Sequence, residues 1–114
     1  MDLGFYFRGH GLTVADRNHQ ENGDYKEVAF IRPSGIINFK ADPEQIPAED
    51  LQKIQAQADR AKAEFMEAWE KMPLMKQYEV ILDSLTPSEL VAMERGTPAQ
   101  ETINKYFNRY LERA

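Results

Sequence analysis

The sequence predicts an α+β fold: a three- or four-stranded antiparallel β-meander packed against a long helix and followed by three shorter C-terminal helices. Three observations carry this reading. Up to Asp42 the apolar residues fall in short runs punctuated by Gly and Pro, and beyond it they recur every three or four residues almost to the end. No low-complexity linker separates the two halves, so residues 1–114 read as a single domain, a β-meander over 1–41 and a helical part over 42–114. A chain of 114 residues is also long enough to bury roughly two-thirds of its unfolded surface in one core without a metal or a disulfide.

The hairpin over residues 25–40 is the best-marked strand element. Tyr25 to Arg32 and Ile36 to Lys40 flank Pro33-Ser34-Gly35, where Pro33 suits the first central position of a type I turn and Gly35 can close it as a left-handed bulge. A three-residue loop sets Arg32 opposite Ile36 and groups Ala29, Ile31, Ile37 and Phe39. A two-residue loop would instead group Val28 and Phe30 with Ile37 and Phe39. The turn chemistry favours the first register. Upstream, Leu12 to Asp16 alternates as a third strand, with a polar loop from Asn18 to Asp24. Leu3 to Arg8 can form a fourth strand, with Gly9-His10-Gly11 as its turn. A bare hairpin is marginal in water, so the meander needs an apolar layer across one face.

The helical half supplies that layer. Asp42-Pro43-Glu44-Gln45 and Pro47-Ala48-Glu49-Asp50 are successive helix starts. From about Pro47 to Lys71, residues Leu51, Ile54, Ala58, Ala61, Phe65, Ala68 and Met72 form one stripe, widened at its end by Trp69. The alanines at its centre permit close backbone approach and are too small for the seam of an intermolecular coiled coil. Pro73 ends this helix, and Leu74, Tyr78, Ile81, Leu82 and Leu85 mark the next. Thr86-Pro87-Ser88-Glu89 and Thr97-Pro98-Ala99-Gln100 each place a Thr cap, a Pro and an acid or amide in order, so two further helices start there.

Composition narrows the functional classes. Fourteen basic against nineteen acidic residues give a net charge of −5, spread evenly with no basic block, which opposes nonspecific attraction to nucleic acid or anionic lipid. With no cysteine, neither a disulfide framework nor a thiolate nucleophile or metal site can form. The N-terminal residues carry no basic-then-apolar leader pattern, and no stretch approaches the ~20 apolar residues of a membrane helix. A cytoplasmic protein without a membrane partner is expected.

No catalytic constellation is visible. His10 and His19 lie near Asp16 and Asp24, but the spacing matches neither structural nor catalytic zinc, and both histidines read as solvated loop residues. The acids Glu64, Glu67 and Glu70 are interleaved with Arg60, Lys62 and Lys71 in the manner of a solvated helix face. Ser34, Ser84 and Ser88 are not in nucleophile-elbow sequences. The expectation is therefore a non-enzymatic protein with no cofactor and no catalytic or metal-ligating residues, an accessory or adaptor acting through protein contacts. A homodimer is compatible with it.

Two groups of side chains are candidates for such contacts. Phe5, Tyr6 and Phe7 are consecutive on a strand and cannot all point inward. Trp69, Met72 and Met75, near Met66 and Met93, concentrate adaptable apolar surface in the central helices. Core filling is their ordinary use, and only an exposed part of the set would bind a partner. The alternative function is DNA-binding transcriptional regulation. Residues 88–109 resemble bacterial and phage helix-turn-helix regulators in the Ala92-to-Gly96 spacing, which implies a second helix presenting Thr102, Lys105, Asn108 and Arg109, with Arg95 and Arg113 adding charge. The chain departs from that pattern at Pro98 and at Thr102, where the family places an apolar residue.

The stretch Gly23-Asp24-Tyr25-Lys26-Glu27-Val28-Ala29-Phe30-Ile31, followed by Gly35-Ile36-Ile37, resembles segments of small uncharacterised accessory proteins of bacterial conjugative and phage-like mobile elements. There a polar loop leads into a Tyr-x-x-Val-Ala-x-Ile strand, a glycine turn, a second strand and a helix. The resemblance covers about twenty residues. It implies an intracellular auxiliary protein and carries over no catalytic residue.

Overall fold

In the computed structural model, which describes residues 1–93 and 96–114, the chain is α+β. An antiparallel sheet ordered β1-β2-β3-β4 comprises β1 (Leu3–Arg8), β2 (Gly11–Glu21), β3 (Asp24–Ile31) and β4 (Ile37–Phe39). A single 3₁₀ turn over Pro43–Gln45 then leads to α1 (Ala48–Lys71), α2 (Leu74–Asp83), α3 (Pro87–Ala92) and α4 (Ala99–Arg113). The chain forms two compact units, Met1–Met66 and Glu67–Ala114. They divide inside α1 and not after β4, where the strands end, because α1 up to Met66 is the apolar layer that the sheet requires.

In the first unit Ile54 and Ala58 of α1 join Val14, Val28, Ala29, Ile31 and Ile46 in one buried cluster, with Leu3, Phe5, Leu12, Ile37, Leu51 and Ala61 packed around it. The alanines do allow close approach. A Cβ on Gly35 would lie 2.7 Å from the carbonyl oxygen of Ala58, so the β3–β4 turn rests directly on the helix backbone. That turn has the three-residue register. The Arg32 N–H donates to the Ile36 carbonyl (2.8 Å), Gly35 takes φ +87°, and Ile31 faces Ile37.

Two features of β2 and β3 differ from the sequence expectation. The polar stretch after Asp16 is not a loop: β2 continues to Glu21, and Asn22-Gly23 closes a tight hairpin with φ of 52° and 87°. Both left-handed values belong to the type I′ turn that follows the strand twist, and Asn-Gly is its preferred pair. The pairing also slips twice. Val28 is extra between the pairs Val14–Ala29 and Ala15–Glu27, so Val28 and Ala29 are both buried although adjacent. Arg17, Asn18 and His19 are extra between Asp16–Lys26 and Gln20–Tyr25.

In the second unit Ile81, Leu85, Thr102, Ile103 and Trp69 are buried. α3 begins with a capping box: the Thr86 hydroxyl accepts from the Glu89 N–H (3.3 Å) while the Glu89 carboxylate accepts from the Thr86 N–H (2.8 Å). α4 starts one residue later than its sequence signal, with Pro98 and not Thr97 at the N-cap position.

Candidate functional site

The first unit carries a groove of about 610 Å³ between the sheet and α1, a size typical of ligand and peptide sites. Strand alternation puts Leu3, Phe5 and Phe7 of β1 on the face towards α1, and Phe7 pairs with Leu12. Leu3 and Phe5 pack on the core. Phe7, nearer the turn, is 94% exposed at the groove. Leu12, Ile31, Ala61 and Phe65 supply the rest of the apolar lining, and His10, Arg32, Gln57, Arg60 and Glu64 supply its polar part. Arg60 and Glu64 form an ion pair along α1 (3.3 Å). A Cβ on Gly11 would meet the Phe30 ring and lie 2.8 Å from the Ile31 carbonyl oxygen, so the strand entry leaves no room for a side chain.

Tyr6 points to the opposite face, 41% exposed, and its hydroxyl lies over Gly4. Its ring stacks at 6.4 Å on Tyr25. The aromatic triplet is thus divided: Tyr6 covers the outer face of the sheet, Phe5 is half-buried, and Phe7 is presented to solvent. The remaining groove residues carry no sequence signal of their own. Phe65 belongs to a stripe that reads as core, and only the tertiary arrangement brings Leu12, Ile31 and Phe65 beside Phe7.

A smaller cavity of about 300 Å³ lies at the wide bulge, lined by Asp16, Asn18, His19, Lys26 and Asp42 among others. The Asp16 side chain is buried and accepts backbone N–H bonds from Asn18 (3.0 Å) and Asp2 (3.3 Å), with His19 Nε2 at 3.7 Å. Burial pushes the Asp16 carboxyl up, but the two amides, His19 and the N-terminal charge outweigh it and hold the group below its ordinary value. These partners make Asp16 the brace of the bulge. His10 and His19 are both exposed. Among the described residues, no three His, Cys, Asp or Glu side chains converge as a metal cage.

In the second unit Trp69 is only 8% exposed and packs against Phe107 (5.0 Å) and Tyr110 (5.3 Å), an aromatic core cluster whose burial pushes the Tyr110 phenol up. Trp69 therefore leaves the set of surface candidates. Met72 is half-buried, whereas Met75 is 61% exposed. Val91 of α3 is also exposed, at 87%.

The DNA-binding candidates are not assembled as one basic face. Thr102 is buried and cannot reach a base edge. Arg109 and Arg113 both pair with Glu89 of α3, which neutralises part of their charge. Lys105 and Asn108 are exposed, and Lys105 lies over the Tyr106 ring at 5.4 Å. Arg95 lies outside the described residues. No family model, curated protein or solved structure matches the chain. Among the described residues no helix is long and apolar enough to cross a membrane.

Proposed function

We propose that this chain is a non-enzymatic accessory or adaptor protein of the cytoplasm that works through protein contacts made at β1 and the adjoining groove. The observation that carries this reading is Phe7: a large apolar side chain, 94% exposed, on an edge strand and beside an apolar groove. Edge strands are ordinarily blunted by charge, proline or a bulge, and β1 has none of these before Arg8. The polar lining of the groove is modest and its acid among the described residues, Glu64, is paired with Arg60, which suits recognition of a surface better than bond-breaking chemistry. The resemblance of residues 23–37 to accessory proteins of mobile elements accords with such a role.

Crosslinked co-purification from the native host, comparing the wild-type chain with Phe7→Ser, tests the reading. A defined set of protein partners is expected with the wild-type chain and not with the variant. Partners recovered equally well with both would remove the basis for placing function at this edge. Recovery of a discrete DNA site, abolished by Lys105→Glu, would replace the adaptor reading with that of a DNA-binding regulator.

A further inference from the structure

We infer that the occupant of the β1 edge is a second copy of this chain, joined by antiparallel β1–β1 pairing about a two-fold axis at Phe5. The inference rests on the reading of this edge as a contact surface and supplies its partner.

The backbone determines which groups of β1 are available. The Arg17 N–H donates to the Asp2 carbonyl (2.8 Å), and Leu3 lies opposite Asp16, so Asp2 and Arg17 form a hydrogen-bonded pair. Antiparallel pairs alternate between bonded and non-bonded. Gly4, Tyr6 and Arg8 therefore turn their N–H and C=O groups towards β2, and Leu3, Phe5 and Phe7 turn theirs outward. One self-pairing uses all three outward residues. Phe5 faces the second copy's Phe5, and each Leu3 faces the other copy's Phe7. Every one is then a bonded pair, for about six new backbone hydrogen bonds.

The side chains agree with this register. On the groove face it sets Phe5 on Phe5 and the exposed Phe7 on Leu3, the aromatic and aromatic–aliphatic pairs that stabilise sheets. On the outer face each Tyr6 meets a Gly4, so no two bulky groups collide. At the ends each Arg8 meets an Asp2, whose carboxylate also holds Arg17 (2.8 Å), so the strand is charge-complementary to itself when reversed. Because a chain has one β1, such a contact closes as a dimer and does not propagate. The opposite edge, β4, is only three residues long and offers no equivalent.

The chain has no cysteine, so a single introduced one can be spin-labelled without interference. Labels at Arg8→Cys should give a separation of about 20 Å between Cα positions, six residues apart along the paired strands. A register two residues shorter or longer would shift this by about 7 Å. Phe7→Pro removes an outward N–H and no bond to β2, so it should keep the native circular dichroism and be monomeric by native mass spectrometry. Phe7→Lys, which alters the exposed side chain alone, should also weaken the dimer at least tenfold. A wild-type chain that stays monomeric at millimolar concentration overturns the inference, as does a dimer insensitive to both variants. Phe7-dependent capture of a different protein by a monomeric chain would leave the adaptor reading standing and this inference refuted. A monomeric chain that captures nothing through Phe7 would refute both.

Discussion

Replacing Asp16 by Asn should destabilise the first unit by about 1–3 kcal/mol at neutral pH, and the deficit should disappear in acid. The buried carboxylate accepts two backbone N–H bonds, from Asn18 and Asp2, across a bulge where three residues of β2 lack partners on β3. Asn keeps the shape and one acceptor oxygen but loses the charge that strengthens both bonds, and it brings an amide donor to a place crowded with donors. The folded-state pKa of Asp16 lies below the ordinary 3.8, so the unfolded chain takes up the proton more readily. Its contribution is complete above that value and is lost as pH falls through the lower folded-state pKa. Protonated Asp and Asn are nearly isosteric, so the wild-type and variant stabilities should converge there. The assay is urea unfolding followed by amide resonances of Val14 and Ile31 at pH 7 and at successive acid steps. Tryptophan fluorescence would not serve, because Trp69 belongs to the other unit. A gap below about 0.5 kcal/mol at neutral pH, or one that stays constant into acid, would show that Asp16 does not brace the bulge.

Three further substitutions test the packing. Gly35→Ala forces a Cβ to 2.7 Å from the Ala58 oxygen at φ +87°, and should cost about 2–4 kcal/mol, read as a lowered urea midpoint of the first unit. Thr86→Ala removes one half of the α3 capping box and should cost about 1 kcal/mol, measurable as faster amide exchange at Glu89 with little change in the sheet. Trp69→Ala should cost about 3–5 kcal/mol through loss of its packing on Phe107 and Tyr110, read as a lowered urea midpoint of the amide resonances of Ile81 and Ile103; a change under about 1 kcal/mol would mean the aromatic cluster is not a core.

Element order and the β3–β4 register were legible because each rests on local chemistry. Pro33 and Gly35 favour the three-residue turn over the two-residue one, and Asp42, Pro73, Thr86 and Pro87 punctuate the helices whatever the tertiary context. The distal part of β2 was hidden because Arg17 to Glu21 are exposed on both faces and carry no alternation, so only Asn22-Gly23 betrays the hairpin. The bulge at Val28 was hidden for a related reason: two adjacent buried residues break the period that identifies a strand. At the candidate surface, the aromatic triplet is visible in the sequence, but the sharing out of its faces depends on the pairing with β2. Trp69 was ambiguous for the opposite reason. A tryptophan near the end of an amphipathic helix serves core or surface equally well until Phe107 and Tyr110, nearly forty residues away, are known to stack on it.

The unequal treatment of the two sheet edges bears most directly on what the molecule does. β4 is short, and after it the chain folds back so that Lys40 and Ala41 both donate to the Val28 carbonyl, the residue of the bulge (2.8 and 3.1 Å). These bonds tie the end of β4 to β3 at the bulge that packs Val28 into the core, and a strand of three residues leaves little edge to pair. β1 has no comparable device. It is six residues long, with Leu3, Phe5 and Phe7 alternating along it and only Arg8 to interrupt the apolar run. A polar residue at position 7 would leave the core unchanged, since Phe7 is 94% exposed and contributes little burial of its own. Its apolar identity is therefore not demanded by folding. The contrast between a three-residue β4 and a six-residue β1 that ends in an exposed phenylalanine beside a groove is the physical ground on which the proposed contact at β1 stands.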